Sequence, residues 1–391
     1  MKITAIRTVI VNAFIRNWVF VKVETDQPGL WGWGEATLEW KTRAVTGCIE
    51  DLAPFLVGQD PLRIDHLVNR MSRFSFWNLG AIGMSAASGI EMALWDIKGK
   101  SLGVPVWQLL GGRVRDNVRV YTHPLRGDLK RLVPSSDISA VCDDIQATVE
   151  MGYNAVKVGL VPYTGYDAPL KDVRHVAKLA EAIRERVGDD VDIMTDFHGR
   201  PESLAAAKAY IDVIAPINPM FIEEPLQPGN AQAMAELGRR VDCPLATGER
   251  LFEAAQFSEL AELGAVTFAQ PDLAHCMGFS GGRKIAAITQ ARGIGVCPHN
   301  PMGPVASAVA LQFDAATTNF VIQEECVGVV PWFEDICATY PIKLTNGAWD
   351  IPDAPGSGIE IDEREAAKHP FKPEHILAMD AILEDGTIAN W

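Results

Sequence analysis

The first 36 residues alternate apolar and polar positions in three runs, KITAIRTVIV, WVFVKVET and LWGWGEA, with a turn at Asp26-Gln27-Pro28-Gly29 before the third. Alternation with a period of two predicts a β-meander with one buried face. A helical region follows. In MSAASGIEMALWDIKGK, Ile90, Ala93, Leu94 and Ile97 fall at i, i+3, i+4 and i+7, and Gly99 and Gly103 mark the expected helix end.

From about Val118 the pattern changes to short apolar runs separated by segments of helical spacing. VRVYTH, NAVKVG, VDIMTD, MFIEE, PLATGE, AVTFAQPD, GIGVCPH and NFVIQE read as strands, and LKDVRHVAKLAEAIRERVG and SLAAAKAYIDVIA as two of the helices between them. Six of the strands end on an acid or a histidine: Asp196, Glu223, Glu249, Asp272, His299 and Glu324. The gaps are 27, 26, 23, 27 and 25 residues, each about one strand, one helix and two turns.

That repeat predicts an α/β fold, a modified TIM-like (β/α)8-type barrel whose strand-end side chains converge at one mouth. The expected organisation is an N-terminal α+β capping domain over residues 1–117, a barrel over 118–325 and a C-terminal segment over 326–391 returning to the cap. Within that segment PIKLTNGAWDIPD reads as a hairpin about an Asn346-Gly347 type I′ turn. Two strands alone are marginal in water, so this tail is expected to rejoin the N-terminal domain.

Composition narrows the partners. At 391 residues, 48% hydrophobic and 22% charged, the chain has an ordinary globular composition. Its apolar runs fall short of the ~18 residues a membrane span needs, and the start lacks a signal-peptide cleavage site, so a cytoplasmic protein is expected. Seven cysteines without a C-x-x-C pair point to reduced thiols rather than disulfides or zinc. A net charge of −15 without a Lys/Arg cluster argues against nucleic acid as a partner. It also means that an anionic small substrate needs local positive charge at its site, most simply a divalent cation.

The strand ends supply a place for one. Asp196, Glu223 and Glu249 come from three successive strands, and oxygen-only ligands favour Mg²⁺ or Mn²⁺ over zinc. Solvated acids or helix caps are the plainer explanation for any one of them, less so for three in register. Glu224 should point away from its neighbour Glu223, because side chains alternate along a strand. His198, two residues past Asp196, would share its side if the strand continued that far. Asp272 and His299 end adjacent strands and read as an Asp–His dyad; Asp272 could also cap the following helix. Glu324 is either a protonated hydrogen-bond donor to a substrate carboxylate or an ion-pair partner. Lys157, inside an apolar strand, is expected to face the carboxylates and offset their charge. The GFSGG run at 278–282 reads as a tight turn into a helix, since barrel phosphate sites follow strands seven and eight.

The motifs WGWGEA, IEMALWDIKGK with PVWQLLGG, DFHGR, FIEEP, TGER, QPDL, CPHNP and FVIQEE, spread over nearly the whole chain, resemble those of the enolase superfamily. The two-domain form resembles the mandelate racemase/muconate lactonizing enzyme type, and the set Asp196, His198, His299 and Glu324 resembles the D-galactonate dehydratase group. The resemblance implies a metal-dependent acid-sugar dehydratase with one Mg²⁺ (or Mn²⁺) per subunit in a homo-oligomer. His299, partnered by Asp272, would abstract the C2 proton of an aldonate, the cation would stabilise the enediolate, and His198 would protonate the leaving 3-hydroxyl, giving a 2-keto-3-deoxy sugar acid. Lys157 and Glu324 would bind substrate, as would Arg16 and Trp18 in a capping loop over Phe14 to Trp18; a second such loop spans Phe74 to Gly83. Two other readings stand beside it: a racemase or epimerase of a 2-hydroxy acid, and a non-catalytic barrel protein. Racemases of the superfamily commonly use the second lysine of a K-x-K on strand two, and here that place is Gly159.

Overall fold

The three N-terminal runs form an antiparallel meander, β1 (Ile3–Ala13), β2 (Arg16–Thr25) and β3 (Trp31–Glu35), in the computed structural model, which describes residues 1–124, 136–326, 328–374 and 376–391. Three helices follow: α1 (Thr42–Leu52), α2 (Ile64–Phe74) and α3 (Gly80–Leu102). The last of these runs through Gly99 and ends at Gly103, whose φ of 69° turns the chain out of the helix. Gly99 is instead a packing position, where a Cβ would come within 2.7 Å of Gly356 Cα.

In the alternating run WGWGE the glycines face α3. A Cβ on Gly32 would lie 2.0 Å from the Ala93 carbonyl oxygen, and one on Gly34 would lie 1.9 Å from that of Gly89. Sheet and helix backbones are therefore in direct contact. Pressed between the meander and the barrel helix behind it, α3 is buried almost all round from Gly83 to Ile97, so its apolar positions exceed the single predicted face.

After α4 (Val106–Leu109) the barrel begins. Its strands are β4 (Asn117–Thr122), β5 (Ala155–Val158), β6 (Asp192–Asp196), β7 (Phe221–Glu223), β8 (Leu245–Thr247), β9 (Phe268–Ala269), β10 (Gly295–Val296) and β11 (Gln323–Glu325). The connecting helices are α5 (Ile138–Glu150), α6 (Leu170–Val187), α7 (Leu204–Ile214), α8 (Ala231–Gly238), α9 (Ala254–Leu263), α10 (Gly278–Gln290) and α11 (Pro304–Ala316). Each strand pairs in parallel with the next from β4 to β10; β11 pairs with β4, and the Val296–Phe320 bridge joins the two ends. The cylinder is closed, and all strands run toward one mouth.

Buried acids tie the N-terminal elements to the barrel. Glu35 accepts the N–H groups of Gly303 (2.7 Å) and Ala306 (2.9 Å) at the start of α11, and Glu91 those of Phe279 (3.0 Å) and Ser280 (2.8 Å) at the start of α10. Carboxylates satisfy free N–H groups there and complement the helix dipole. GFSGG is thus the first turn of α10 itself, already occupied by Glu91. Burial pushes both glutamates up to about 7, against these hydrogen bonds.

The tail divides, which corrects part of the expectation. The hairpin β13 (Leu344–Thr345) and β14 (Ala348–Asp350) has its turn at Asn346 and Gly347, both at positive φ, but β14 pairs with β4 of the barrel instead of the N-terminal sheet. The open side of β4 below its partners satisfies the hairpin's edge, and Trp349 is buried against Val118 and Val120. The rest does return to the meander. There β12 (Cys337–Thr339) pairs with β15 (Glu360–Ile361), Glu360 accepts the indole N–H groups of Trp31 and Trp33, and Glu363 of α12 (Glu363–Ala366) pairs with Arg7 at 3.0 Å and Lys22 at 2.8 Å.

Replacing Gly34 by Ala forces β3 off α3 and is expected to destabilise the fold by about 1–3 kcal/mol, read by denaturant unfolding. The Arg7 hydrogen bond, aided by Lys22, holds Glu363 down at about 2, so its pairing stabilises the fold above the ordinary carboxylate range and is lost as pH falls toward 2. Because the pair is partly solvated, Glu363→Gln should cost less than about 1 kcal/mol at pH 7. The melting difference from the parent should shrink between pH 5 and 3.

Candidate metal centre and active site

Parallel pairing sets Asp196 directly beside Glu223, and Glu249 follows β8 by two residues. All three carboxylates are buried or nearly so and can offer oxygens within 4.8 Å of one another. Glu223 is the member of its pair that joins the cluster. Glu224, at a φ of 39°, turns away and takes the Arg250 guanidinium on both oxygens, at 3.0 and 2.5 Å.

Lys157 reaches the same point from β5. Its ammonium lies 2.8 Å from Glu223, 2.9 Å from Glu324 and 3.1 Å from Asp196, and the side chain is buried. One lysine does not neutralise the set. Burial and the neighbouring Asp196 push the Glu223 carboxyl well up, and burial with Glu224 and Asp196 does the same to Glu249. Asp196 is held well down: burial opposes its charge, but His198 and Lys157 outweigh it. Asp196 Oδ2 and Glu249 Oε2 are buried and close no hydrogen bond of normal geometry, although Lys157 lies 3.1 Å from the first and His299 3.4 Å from the second. Hard oxygen donors, clustered, in excess of their counter-charge and partly unsatisfied, fit a divalent cation of the Mg²⁺ type.

Two histidines border this cluster at different ligands. Strand β6 stops at Asp196, and His198 sits beyond it at a φ of 51°, so the strand does not continue as far as the shared-side reading required. The left-handed turn nevertheless brings its Nε2 to 3.3 Å from Asp196 Oδ2, while its backbone N–H donates to Asp196 Oδ1 at 3.0 Å. Burial outweighs Asp196 and lowers the imidazole to about 3. The ring stacks on Trp391 at 4.9 Å and 11°.

On the other side His299 Nδ1 is 2.8 Å from Asp272 Oδ2, and its Nε2 is 3.4 Å from Glu249. Burial works against protonation, but Glu324 and the Asp272 hydrogen bond lift this imidazole to about 9. Asp272 serves twice, for its other oxygen accepts the Ala274 N–H at 2.7 Å.

Glu324 does not take the protonated form. Burial favours the neutral acid, yet Lys157, His299 and His123 hold it well below the usual range, so it is an ion-pair partner. His123, whose Nε2 is 2.7 Å from Glu324 Oε1, was not anticipated, although it follows the first strand as His299 follows the seventh. His275, 3.7 Å from Asp272 and bonded to Ser85 at 2.8 Å, lay in no repeat position.

Trp18 is placed elsewhere. Residues 16–18 are the start of β2, and the indole is buried edge-on to Phe333 at 5.3 Å among Phe20, Val305 and Ala308, where its apolar area packs the sheet against α11. Arg16 does approach the His299 loop, donating to the Pro301 carbonyl at 2.8 Å and pairing with Glu39 at 2.5 Å.

With fold and site in hand, comparison with known proteins places them in a class. Residues 4–111 match the mandelate racemase/muconate lactonizing enzyme N-terminal domain, and residues 140–366 the enolase C-terminal domain-like family. The chain belongs to the enolase superfamily. It is 36% identical to a D-galactonate dehydratase of Variovorax paradoxus and 37% identical to one of Xanthomonas oryzae, each over the full length of both chains. Among solved structures, an enolase from Agrobacterium radiobacter, provisionally described as a galactarate dehydratase with sodium and L-malate bound, superposes with a TM-score of 0.90 at 32% identity over all of both chains. An enolase-superfamily member from Salmonella Typhimurium gives 0.88 at 30% identity, covering 94% of this chain and 98% of that one. Among the described residues, no helix is long and apolar enough to cross a membrane.

Added Mg²⁺ should raise the melting temperature in a concentration-dependent way, because a ligand held only by the folded state stabilises by RT ln(1 + [L]/Kd). Glu223→Gln should remove most of that shift in calorimetry while leaving the metal-free protein folded.

Proposed function

We propose that this protein is a metal-dependent acid-sugar dehydratase, a hydro-lyase, acting on an aldonate such as D-galactonate. The observation that carries the reading is the pair of imidazoles bordering one carboxylate triad, His198 against Asp196 and His299 against Glu249. The curated relatives at 36–37% identity and the 2-hydroxy acid bound by the Agrobacterium neighbour support the substrate class.

Asp196, Glu223 and Glu249 would hold Mg²⁺, which supplies, when bound, a Lewis acid for the substrate carboxylate and so makes the adjacent C–H acidic. The chain's own residues do the rest. Asp272 takes the Nδ1–H of His299, which leaves Nε2 toward the triad; with a cation held there His299 would lose the proton that Glu324 and Asp272 favour in the metal-free site, and Nε2 would accept the C2 proton. His198 presents Nε2 on the other side; burial keeps the ring neutral in the substrate-free protein, and the proton it takes up as the anionic substrate binds would go to the departing 3-hydroxyl, after which the enol left behind ketonises to a 2-keto-3-deoxy acid. Lys157 and Glu324 fix the charge of the floor between them. Each proton-transfer group contributes on the order of 10²–10⁴-fold.

A racemase would need a second base facing the same carbon. Lys157 is held by three carboxylates and the next inward place on its strand is Gly159, so no free base stands there.

In D₂O with D-galactonate and Mg²⁺, His198→Asn should still exchange the C2 proton by NMR yet fail to release the 2-keto acid. His299→Asn should do neither. Unchanged turnover in both variants, or inversion at C2 without loss of water, would end the assignment.

A further inference from the structure

Proton transfer leaves three buried nitrogens at and beside His198 without a role. The indole of Trp391 lies flat on the His198 ring, 4.9 Å between centroids and 11° between planes. Trp40, from the turn after β3, meets the same indole edge-on at 5.4 Å and 69°. Trp40 Nε1, Trp391 Nε1 and His198 Nδ1 are all buried, and none makes a hydrogen bond. Tyr163, on the loop after β5, holds its hydroxyl beside the Trp391 indole, within reach of a poorly aligned hydrogen bond from it, so Trp40 Nε1 is the group left with no acceptor at all.

An indole N–H is a donor only, and burying one without an acceptor costs roughly 1–3 kcal/mol. Such a group calls for an explanation, and a bound molecule that supplies the acceptor is one. Trp40 and Trp391 come from opposite ends of the chain and meet over the histidine proposed as the acid. The backbone follows the same design: Trp40 and His198 both sit at positive φ, 59° and 51°, an arrangement uncommon for bulky side chains and one that turns each into this corner.

We propose that Trp40 and Trp391 form the end of the substrate pocket that recognises the hydroxyl-bearing carbon chain beyond C3, each indole N–H donating to a substrate oxygen. This rests on the dehydratase reading above and adds specificity residues to it. The hydroxyl next to the leaving group would come to lie beside His198, so the aromatic wall also orients the acid. A three-carbon acid ends before this wall. A six-carbon acid reaches it.

The test compares two ligands in the presence of Mg²⁺, D-galactonate and glycerate, by calorimetric titration at a temperature where turnover is followed in parallel. Trp391→Phe keeps a ring on His198 and removes only the N–H, and Trp40→Phe does the same at the second position. Each variant should weaken D-galactonate about tenfold and raise its KM in proportion, with kcat within a few-fold, while glycerate binding stays within about twofold. Trp391→Ala, which also removes the stacking, should lower kcat as well. Equal weakening of both acids, or no weakening of either by both Phe variants, would overturn the assignment of the indoles and leave the dehydratase reading standing. Failure of the parent enzyme to bind either acid would overturn both.

Discussion

Packing several carboxylates into a water-poor mouth is the constraint on which the rest of this structure depends. Asp196, Glu223, Glu249, Asp272 and Glu324 converge there, and Lys157 is the permanent cation among them. Left to itself such a cluster would spread apart, because buried like charges repel strongly and lose hydration. A closed parallel barrel prevents that. Each acid is delivered by a different strand, the strands are fixed by ladders on both sides, and no single side chain can retreat without breaking its own strand. The strain is visible in opposite directions on neighbouring groups: Glu223 and Glu249 are pushed toward the neutral acid while Asp196 and Glu324 are kept charged. A divalent cation is the simplest species that relieves the first pair without disturbing the second.

The N-terminal elements hold the loops that carry the chemistry. Glu35 grips the N–H groups of Gly303 and Ala306, just beyond His299, and Glu91 grips those of Phe279 and Ser280, just beyond Asp272. The two halves of the Asp–His dyad are therefore each braced from outside the barrel. Direct backbone contact between Gly34 and Gly89 makes this bracing stiff, since at these glycines no side chain lies between sheet and helix to deform.

How much of this was legible in the sequence follows from what repeats and what does not. The strand-end acids and His299 recur at one βα unit, and parallel register carries that spacing directly into space, so the triad, the dyad and Lys157 could be read from the chain. His123 follows the first strand, two βα units before Asp196, and its place at a strand end is of the same kind. Trp18 was misplaced because a tryptophan near a turn and one at the start of a buried strand look alike until the strand's limits are known. The charge of Glu324 depends on His123 and Lys157 arriving from other strands, so the sequence left its two readings level. The hairpin at Asn346-Gly347 was plain from its turn, but its partner was decided by which sheet edge lay open, a tertiary fact that no local pattern encodes.

Trp391 marks the limit most clearly. Its stacking on His198 spans 193 positions of sequence and has no periodicity, so only the folded chain reveals it. The mouth is consequently built from two kinds of contributor. Strand ends hold groups whose mutual distances are dictated by the barrel, and these suit proton transfer and cation binding, which tolerate little displacement. The turn after β3 and the C-terminal segment hold groups whose placement depends on docking, and these can vary in length and residue without disturbing any ladder. A fold arranged this way can keep one reaction fixed at the strand ends while the outer segments select which acid is admitted.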